Sequence, residues 1–253
     1  TASGKFWCFR CGDDTKGKLR GYGPQDEDGY TPRCIQVALP GSTPAPPPIR
    51  RPQGYTPLGY GDGLEAESLA PARAYAARRG LTPELCAELG VGATLDGFYS
   101  GRLIFPFMEP ADPDTWWGFV ARDYTGLAEK PYLVPKGIQR GARFWNERAL
   151  YVPTEVPILV VEGYLDAVAY YPDAIPTLGK PTEEHYQLLR GAHRPVVLVP
   201  DGDAWTEGWA WAMRLRFDGV PAGYLRLPPK KDPDQLDRAR LRADAVASLT
   251  AAL

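Results

Sequence analysis

Three acidic residues in this 253-residue chain stand where they could share one cation. Glu162 follows the apolar run Ile158-Leu159-Val160-Val161. Asp201 follows Val196-Val197-Leu198-Val199-Pro200, and Asp203 comes two residues later. Short apolar runs of this kind suit strands buried on both faces. Open α/β sheets bind ligands beyond the carboxyl ends of their strands, where these acids fall. Alternate residues of an extended Asp-x-Asp point to one side, so Asp201 and Asp203 can face the same ion. Oxygen-only donors of this kind suit Mg2+ or Mn2+. Taken singly, each acid reads as an ordinary loop or helix-cap residue. Both motifs together, each after an apolar strand, mark a site.

The elements that must position these acids alternate in type. Strands are expected over 158–161, 175–178, 196–199 and 224–227, with helices over 164–171, 183–189, 207–217 and 234–253. That order argues for βαβ units and a mainly parallel sheet. Upstream, an Ala- and Arg-rich helix over 67–79 stops at Gly80, and a second begins at Thr82-Pro83-Glu84 with Thr as its cap. The periodicity then changes. Residues 101–107 and 116–124 read as the arms of a hairpin around Asp112-Pro113-Asp114, and 130–134 and 149–152 as further strands. The stretch from Pro40 to Pro57 is Pro-rich and reads as a polyproline linker.

Composition bounds the rest. Hydrophobic residues at 44% and charged residues at 24% exclude a mainly disordered or fibrous chain. No apolar run approaches the roughly 20 residues of a membrane span. The opening residues show no secretory signal, and the cysteines Cys8, Cys11, Cys34 and Cys86 are too few for a disulfide framework. A cytoplasmic protein is expected. The formal net charge of −2 excludes a global basic field, so any polyanion site is local. Between Gly118 and Arg148 the basic residues Arg122, Lys130, Lys136, Arg140, Arg143 and Arg148 outnumber the acidic Asp123, Glu129 and Glu147. Trp205, Trp209 and Trp211 could stack bases or pack a core. His185 and His193 lack ligand-like neighbours, and Cys86 reads as a core thiol.

The combination resembles a known family. Val161-Glu162-Gly163-Tyr164-Leu165-Asp166-Ala167 with Asp201-Gly202-Asp203 looks like the TOPRIM module shared by primases, topoisomerases and some nucleases. Lys230-Lys231-Asp232-Pro233-Asp234 resembles a late segment of DnaG-type bacterial and phage primases. So do Gly101-Arg102-Leu103-Ile104-Phe105-Pro106, Gly118-Phe119-Val120-Ala121-Arg122, and Gly80-Leu81-Thr82-Pro83-Glu84 with Leu89-Gly90-Val91-Gly92. Cys8-Phe9-Arg10-Cys11 resembles half of the zinc ribbon that precedes these primases, and a tetrahedral site needs a second pair. The inference is that this pair lies upstream in the intact protein.

The resemblance implies an α/β fold: an α+β N-terminal subdomain, a TOPRIM Rossmann-like parallel sheet, and a partial zinc ribbon before them. The implied modules are 1–36 (ribbon half), 37–62 (linker), 63–150 (basic subdomain), 151–230 (TOPRIM) and 231–253 (terminal helix). It implies a primase that makes short RNA primers on single-stranded DNA from ribonucleoside triphosphates, with a replicative helicase as partner and no membrane. Glu162, Asp201 and Asp203 would be catalytic and hold Mg2+ or Mn2+, with Asp232 or Asp234 completing the cluster. Cys8 and Cys11 would hold Zn2+ in the intact protein. Arg102, Arg122, Lys130, Lys136 and Lys180 would bind triphosphate or template. A TOPRIM nuclease or topoisomerase, or a non-catalytic binding module, are the competing readings. The chain departs from the family in three places: after Asp203, where the usual glycine comes late; at Lys180, where threonine is common; and at Lys130-Pro131, which reverses the usual order. These suggest a diverged, phage-like member. A bulge at Pro131 would return Lys130 to the cleft; without it Lys136 is the phosphate contact.

Overall fold

A computed structural model describes residues 49–59, 67–109, 112–202, 205–228 and 231–250, all within one packed unit, Pro46–Leu253. Cys8, Cys11, Cys34, Asp203 and Lys230 lie outside the described residues, as does the expected zinc-ribbon segment.

Two sheets form the frame. The first is antiparallel, in the order β1 (Tyr55–Pro57), β2 (Gly92–Thr94), β3 (Arg102–Glu109), β4 (Asp112–Asp123), β5 (Tyr132–Leu133). Helices α1 (Ala70–Arg78) and α2 (Pro83–Glu88) lie between β1 and β2 in the chain. Thr82 caps α2 as the sequence implies, its hydroxyl accepting from Leu85 N at 3.2 Å. The second sheet is parallel, in the order β7 (Ala174–Pro176), β6 (Ile158–Val161), β8 (Val196–Val199), β9 (Ala222–Tyr224). Its helices are α3 (Tyr164–Ala169), α4 (Glu183–Arg190), α5 (Trp205–Phe217) and α6 (Arg238–Ser248). Every residue of β6 and β8 is buried, as expected for strands covered on both faces. The mixed α/β fold with one antiparallel and one parallel sheet is therefore the architecture the sequence calls for.

Side-chain alternation divides the antiparallel sheet. Leu103, Phe105, Phe107 and Val120 share one core with Leu159, Val161, Tyr164 and Val168 of the parallel half. Ile104, Trp116, Phe119 and Ala121 form a separate cluster on the opposite face. The large core thus belongs to both sheets, and fixes one against the other.

Several elements differ from expectation. Residues 55–57, placed in the linker by composition, pair with β2 instead. Residues 149–151 belong to a 3-10 turn, Glu147–Tyr151, followed by Val152, and not to a strand. Their carbonyls are taken by the 193–194 segment, from His193 N to Leu150 O and from the Arg194 guanidinium to Ala149 O. The terminal helix starts at Arg238, capped by Asp237, after a separate 3-10 turn at Pro233–Gln235. No helix among the described residues is long and apolar enough to cross a membrane.

The late glycine has a packing reason. A Cβ at Gly208 would lie 2.7 Å from Pro200 Cγ and 3.0 Å from its Cδ, so glycine lets α5 seat on the end of β8. Glycine inside a helix ordinarily costs about 1 kcal/mol relative to alanine. Gly208→Ala should nevertheless lower the thermal midpoint, by a few degrees, because overpacking against a rigid proline ring costs roughly 1–3 kcal/mol. Thermal unfolding by circular dichroism checks this; a raised midpoint would show that α5 is not seated on Pro200.

Candidate active site

The strand order makes the site. From β6 the chain winds to β7 on one side, then crosses back to β8 and on to β9 on the other. The reversal lies between β6 and β8, and the crevice outside their carboxyl ends is where such sheets bind ligands. Glu162 leaves β6 there and Asp201 leaves β8 one residue after Pro200. Both line a cleft of about 440 Å³ that also includes Thr177, Lys180, Glu207 and Trp211. The β7 loop is fastened to the same edge: Leu178 N donates to Glu162 O at 3.0 Å and Thr177 Oγ1 to Gly179 O at 2.6 Å. Leu178 has φ 57°, in the left-handed region that a leucine rarely adopts, so this loop's shape is imposed by its bonds. Lys180 is exposed in the cleft, its Nζ 4.0 Å from Glu207 Oε1.

Asp166 joins the acids from below. It sits in the first turn of α3, four residues after Glu162, and is only 8% exposed. Its Oδ1 accepts from the backbone N–H of Asp234 at 3.1 Å. Burial above all pushes its carboxyl up to about 7; the Asp234 N–H opposes this, and the charges of Asp234, Asp201 and Asp232 reinforce it. Asp201 and the 232–234 turn therefore act on the same buried carboxyl. A Cβ at Gly163 would lie 2.3 Å from Asp166 Oδ2, so the glycine after Glu162 is what leaves room for that side chain. Sequence reasoning quoted Asp166 within its motif but assigned it no role; its spacing of four from Glu162 at a helix start was the available signal. Asp232 is exposed, its Oδ2 accepting from Gln235 Nε2 at 3.2 Å. Asp234 is paired with Arg79 of the following turn after α1 at 2.9 Å.

The expected cations divide. Strands β3 and β4 pair Leu103 with Arg122 and Arg102 with Asp123, so the two arginines emerge on opposite faces of the sheet. Arg122 is on the shared-core face. Its Nε donates to Tyr75 Oη at 2.8 Å and its guanidinium lies 4.4 Å from the Tyr132 ring, a tyrosine whose hydroxyl feels the charges of both Arg122 and Asp166. Arg102 is 7% exposed and donates to Lys130 O at 2.8 Å and Pro131 O at 3.3 Å. It fastens the β5 approach and presents no free guanidinium to a phosphate. Strand β5 pairs Tyr132 with Arg122 and Leu133 with Ala121 in unbroken register, and Asp123 N donates to Pro131 O at 2.9 Å. The bulge considered at Pro131 is therefore absent. Lys130, in the bend before β5, and Lys136, in the turn after it, are both exposed.

Carboxylates crowded beside oxygen-only partners are the donor chemistry of a hard divalent cation. Among the described residues, no three His, Cys, Asp or Glu side chains converge tightly enough to hold a metal ion on their own, and Asp203 lies outside that set. Of the other residues weighed from sequence, His185 is fully buried and stacked on Phe144 at 4.3 Å, and Cys86 is a buried free thiol. Trp211 is half-buried and lines the cleft, while Trp209 is exposed.

The raised Asp166 carboxyl makes a stability prediction. In the fold it holds its proton to about pH 7, whereas its ordinary value is 3.8. Its contribution is complete below 3.8 and is lost as pH rises through 7, because the folded state binds the extra proton only across that window. In chelator-treated protein, Asp166→Asn should raise the thermal midpoint by about 5 °C at pH 8 and by less at pH 5. A gain independent of pH would show that Asp166 is not the strained carboxyl.

No family model matches the sequence. The DNA primase of Legionella pneumophila is 36% identical over 91 residues, 32% of this chain and 16% of the relative. The DNA primase of Salmonella typhimurium is 25% identical over 232 residues, 73% of this chain and 40% of the relative. The chain thus spans well under half the length of the curated relatives it matches. A solved DnaG catalytic core superposes with a TM-score of 0.59 at 24% identity, covering 74% of this chain and 77% of that one. A DnaG primase catalytic domain bound to single-stranded DNA gives 0.56 at 24% identity, covering 73% and 79%. The Aquifex aeolicus primase, with its zinc-binding and RNA polymerase domains, gives 0.58 at 18%, covering 73% and 56%. By sequence the chain is similar to bacterial DNA primases, and its fold is that of the DnaG catalytic core.

Proposed function

We propose that this chain is the nucleotidyl-transfer core of a DNA primase, joining ribonucleotides into a short primer on single-stranded DNA. The observation that carries the reading is Glu162 and Asp201 lining one cleft at the edge where a parallel sheet reverses its winding, with the buried Asp166 feeling the charges of Asp201 and Asp232, within a fold shared with DnaG cores. In this reading the parallel sheet is a TOPRIM module, and Asp203, two residues after Asp201 in the sequence, would be a further metal ligand. The acids would hold Mg2+ or Mn2+, which when bound lowers the pKa of the attacking hydroxyl and shields the phosphates. A 3′-hydroxyl attacks the α-phosphate of the next nucleotide in line, and pyrophosphate leaves. Glu162, at the end of β6, would serve as metal ligand, proton acceptor or both. Arg122, held flat between Tyr75 and Tyr132, orients phosphate on the opposite wall, and Lys180 reaches into the cleft from the β7 loop. Lys136 and Lys130 supply the exposed positive field near β5. Cys8 and Cys11 would be zinc ligands, ribonucleoside triphosphates the substrates, and a replicative helicase the partner that brings the chain to its template.

The test is direct. The protein is incubated with single-stranded DNA, ribonucleoside triphosphates and Mg2+, and the products are resolved by length. New short RNA is expected. Shortened DNA without RNA would move the reading to a nuclease of the same fold. Glu162→Gln and Asp201→Asn should each lower synthesis on the order of a hundredfold or more while leaving the circular dichroism spectrum unchanged, since these acids serve the reaction and not the core. Near-normal synthesis by either variant would remove that residue from the active site.

A further inference from the structure

Arg122 differs from Arg102 and Arg143 in what holds it. Strand β3 pairs Met108 with Trp116 and Phe107 with Gly118, which leaves Trp117 opposite no residue. Past that irregularity the ladder runs unbroken to Arg102 and Asp123, so Arg122 keeps its place on the shared-core face. Arg143 gives both Nη groups to Glu109, at 2.6 and 3.0 Å, and Arg102 gives both to the 130–131 backbone. Arg122 gives only its Nε, to the neutral hydroxyl of Tyr75 at 2.8 Å, and its plane lies against Tyr132. Among the described residues, no hydrogen bond or ion pair takes either of its Nη groups. A carboxylate on the fork would neutralise the charge and occupy the donors that a phosphate needs. A phenol accepts one N–H, fixes the direction of the plane, and leaves the charge and the paired donors in place.

Tyr75 is held in turn. It stands on α1, half-buried against the shared core. Residues four apart share a helix face, and Arg79, which caps the end of α1, returns over the same ring with Cζ 5.7 Å from its centroid. Arg79 Nη1 donates to Asp234 Oδ2 at 2.9 Å. Burial works against the Arg79 charge, but Tyr75 and the Asp234 carboxylate outweigh it and raise the guanidinium pKa. The backbone N–H of the same Asp234 donates to Asp166 Oδ1 at 3.1 Å. One helix end therefore joins an arginine of the antiparallel sheet to the turn that braces the acids of the parallel one. The Tyr132 hydroxyl, whose pKa burial raises, feels the charges of Arg122, Arg79 and Asp166, so it lies in the gap these groups enclose. Asp234 answers the charge of Arg79, which leaves Arg122 as the cation there with an open fork.

We propose that Tyr75 is a positioning residue for nucleotide binding. Its hydroxyl aims the Arg122 fork at a phosphate of the incoming ribonucleoside triphosphate, and Arg79 holds the tyrosine in place relative to the acids. The proposal rests on the primase reading and adds how one wall of that site is set.

Initial rates of RNA synthesis test it, with nucleotide varied at saturating template and template varied at saturating nucleotide. Tyr75→Phe keeps the ring in the core and loses only the hydroxyl. It should raise the nucleotide KM on the order of tenfold, the worth of one charge-assisted bond, with kcat changed by less than about twofold and the template KM unaltered. Arg122→Lys should raise the nucleotide KM at least as far. Adding Tyr75→Phe to it should then change KM by less than about twofold, because an ammonium has no fork to aim. An unaltered nucleotide KM in Tyr75→Phe, a loss carried by kcat, an equal rise in the template KM, or full additivity in the double variant overturns the role. Arg79 gives a second route should Tyr75→Phe fold poorly. Arg79→Ala should raise the nucleotide KM several-fold, and Arg79→Lys, which keeps a cation between the ring and Asp234, should restore it to within about twofold. Equal loss in both, or no loss in either, overturns the role as well. No RNA from the unaltered protein overturns the primase reading itself, whereas RNA synthesis indifferent to Tyr75→Phe removes the positioning role alone.

Discussion

Carboxylates that repel one another are held at a single sheet edge, and much of the chain is arranged around keeping them there. Asp166 shows what that requires. A buried acid with Asp201, Asp232 and Asp234 around it keeps its proton to about pH 7. The chain offsets the strain locally: Gly163 leaves space for the carboxylate, the Asp234 N–H gives it a donor, and Arg79 pairs with Asp234 from the far side. A divalent cation relieves the same repulsion. Like charges brought this close to one buried carboxyl are therefore more readily understood as a binding device than as a stabilising one.

That device needs a second wall at fixed distance, and the shared core supplies it. Leu103, Phe105 and Phe107 of the antiparallel sheet pack in one cluster with Tyr164 and Val168 of α3, the helix that carries Asp166. Phe105 and Phe107 lie 4.9 and 5.6 Å from the Tyr164 ring. The face of the sheet that packs this core is also the face that presents Arg122. The parity of one strand thus decides both what is buried and which arginine can look toward the acids.

Much of the site was legible because it follows from strand ends. Glu162 and Asp201 could be placed at one edge from two apolar runs, since buried parallel strands leave few other positions for an acid. The cations were not legible in the same way. Arg102 and Arg122 look equivalent as motif residues, but in an antiparallel hairpin the face of each depends on the register, and a register pairing Leu103 with Arg122 puts Arg102 on the other side. Likewise, Pro131 suggested a bulge, yet a proline that accepts from Asp123 N through its carbonyl needs none. The irregularity that does occur is at Trp117, beside the turn of the β3–β4 hairpin, where no proline or glycine marks the residue itself. The strand at residues 55–57 was hidden in a Pro-rich stretch because an edge strand tolerates proline.

The division of labour between arginine and lysine refines the local charge argument. Arginines fasten loops to elements in this chain. Arg194, 5% exposed, donates to Val156 O, to Ala149 O and to Asp173, while Arg242 ties α6 to the same Asp173 and to Tyr170 O. Arg102 does the same at β5. A planar fork can satisfy several carbonyls at once, which an ammonium cannot. Every lysine among the described residues is exposed. Counting basic residues between Gly118 and Arg148 therefore overstates the charge offered to a polyanion. The field that remains comes from Lys130, Lys136, Arg140 and Arg148, on one loop system that runs from β5 across Gly118.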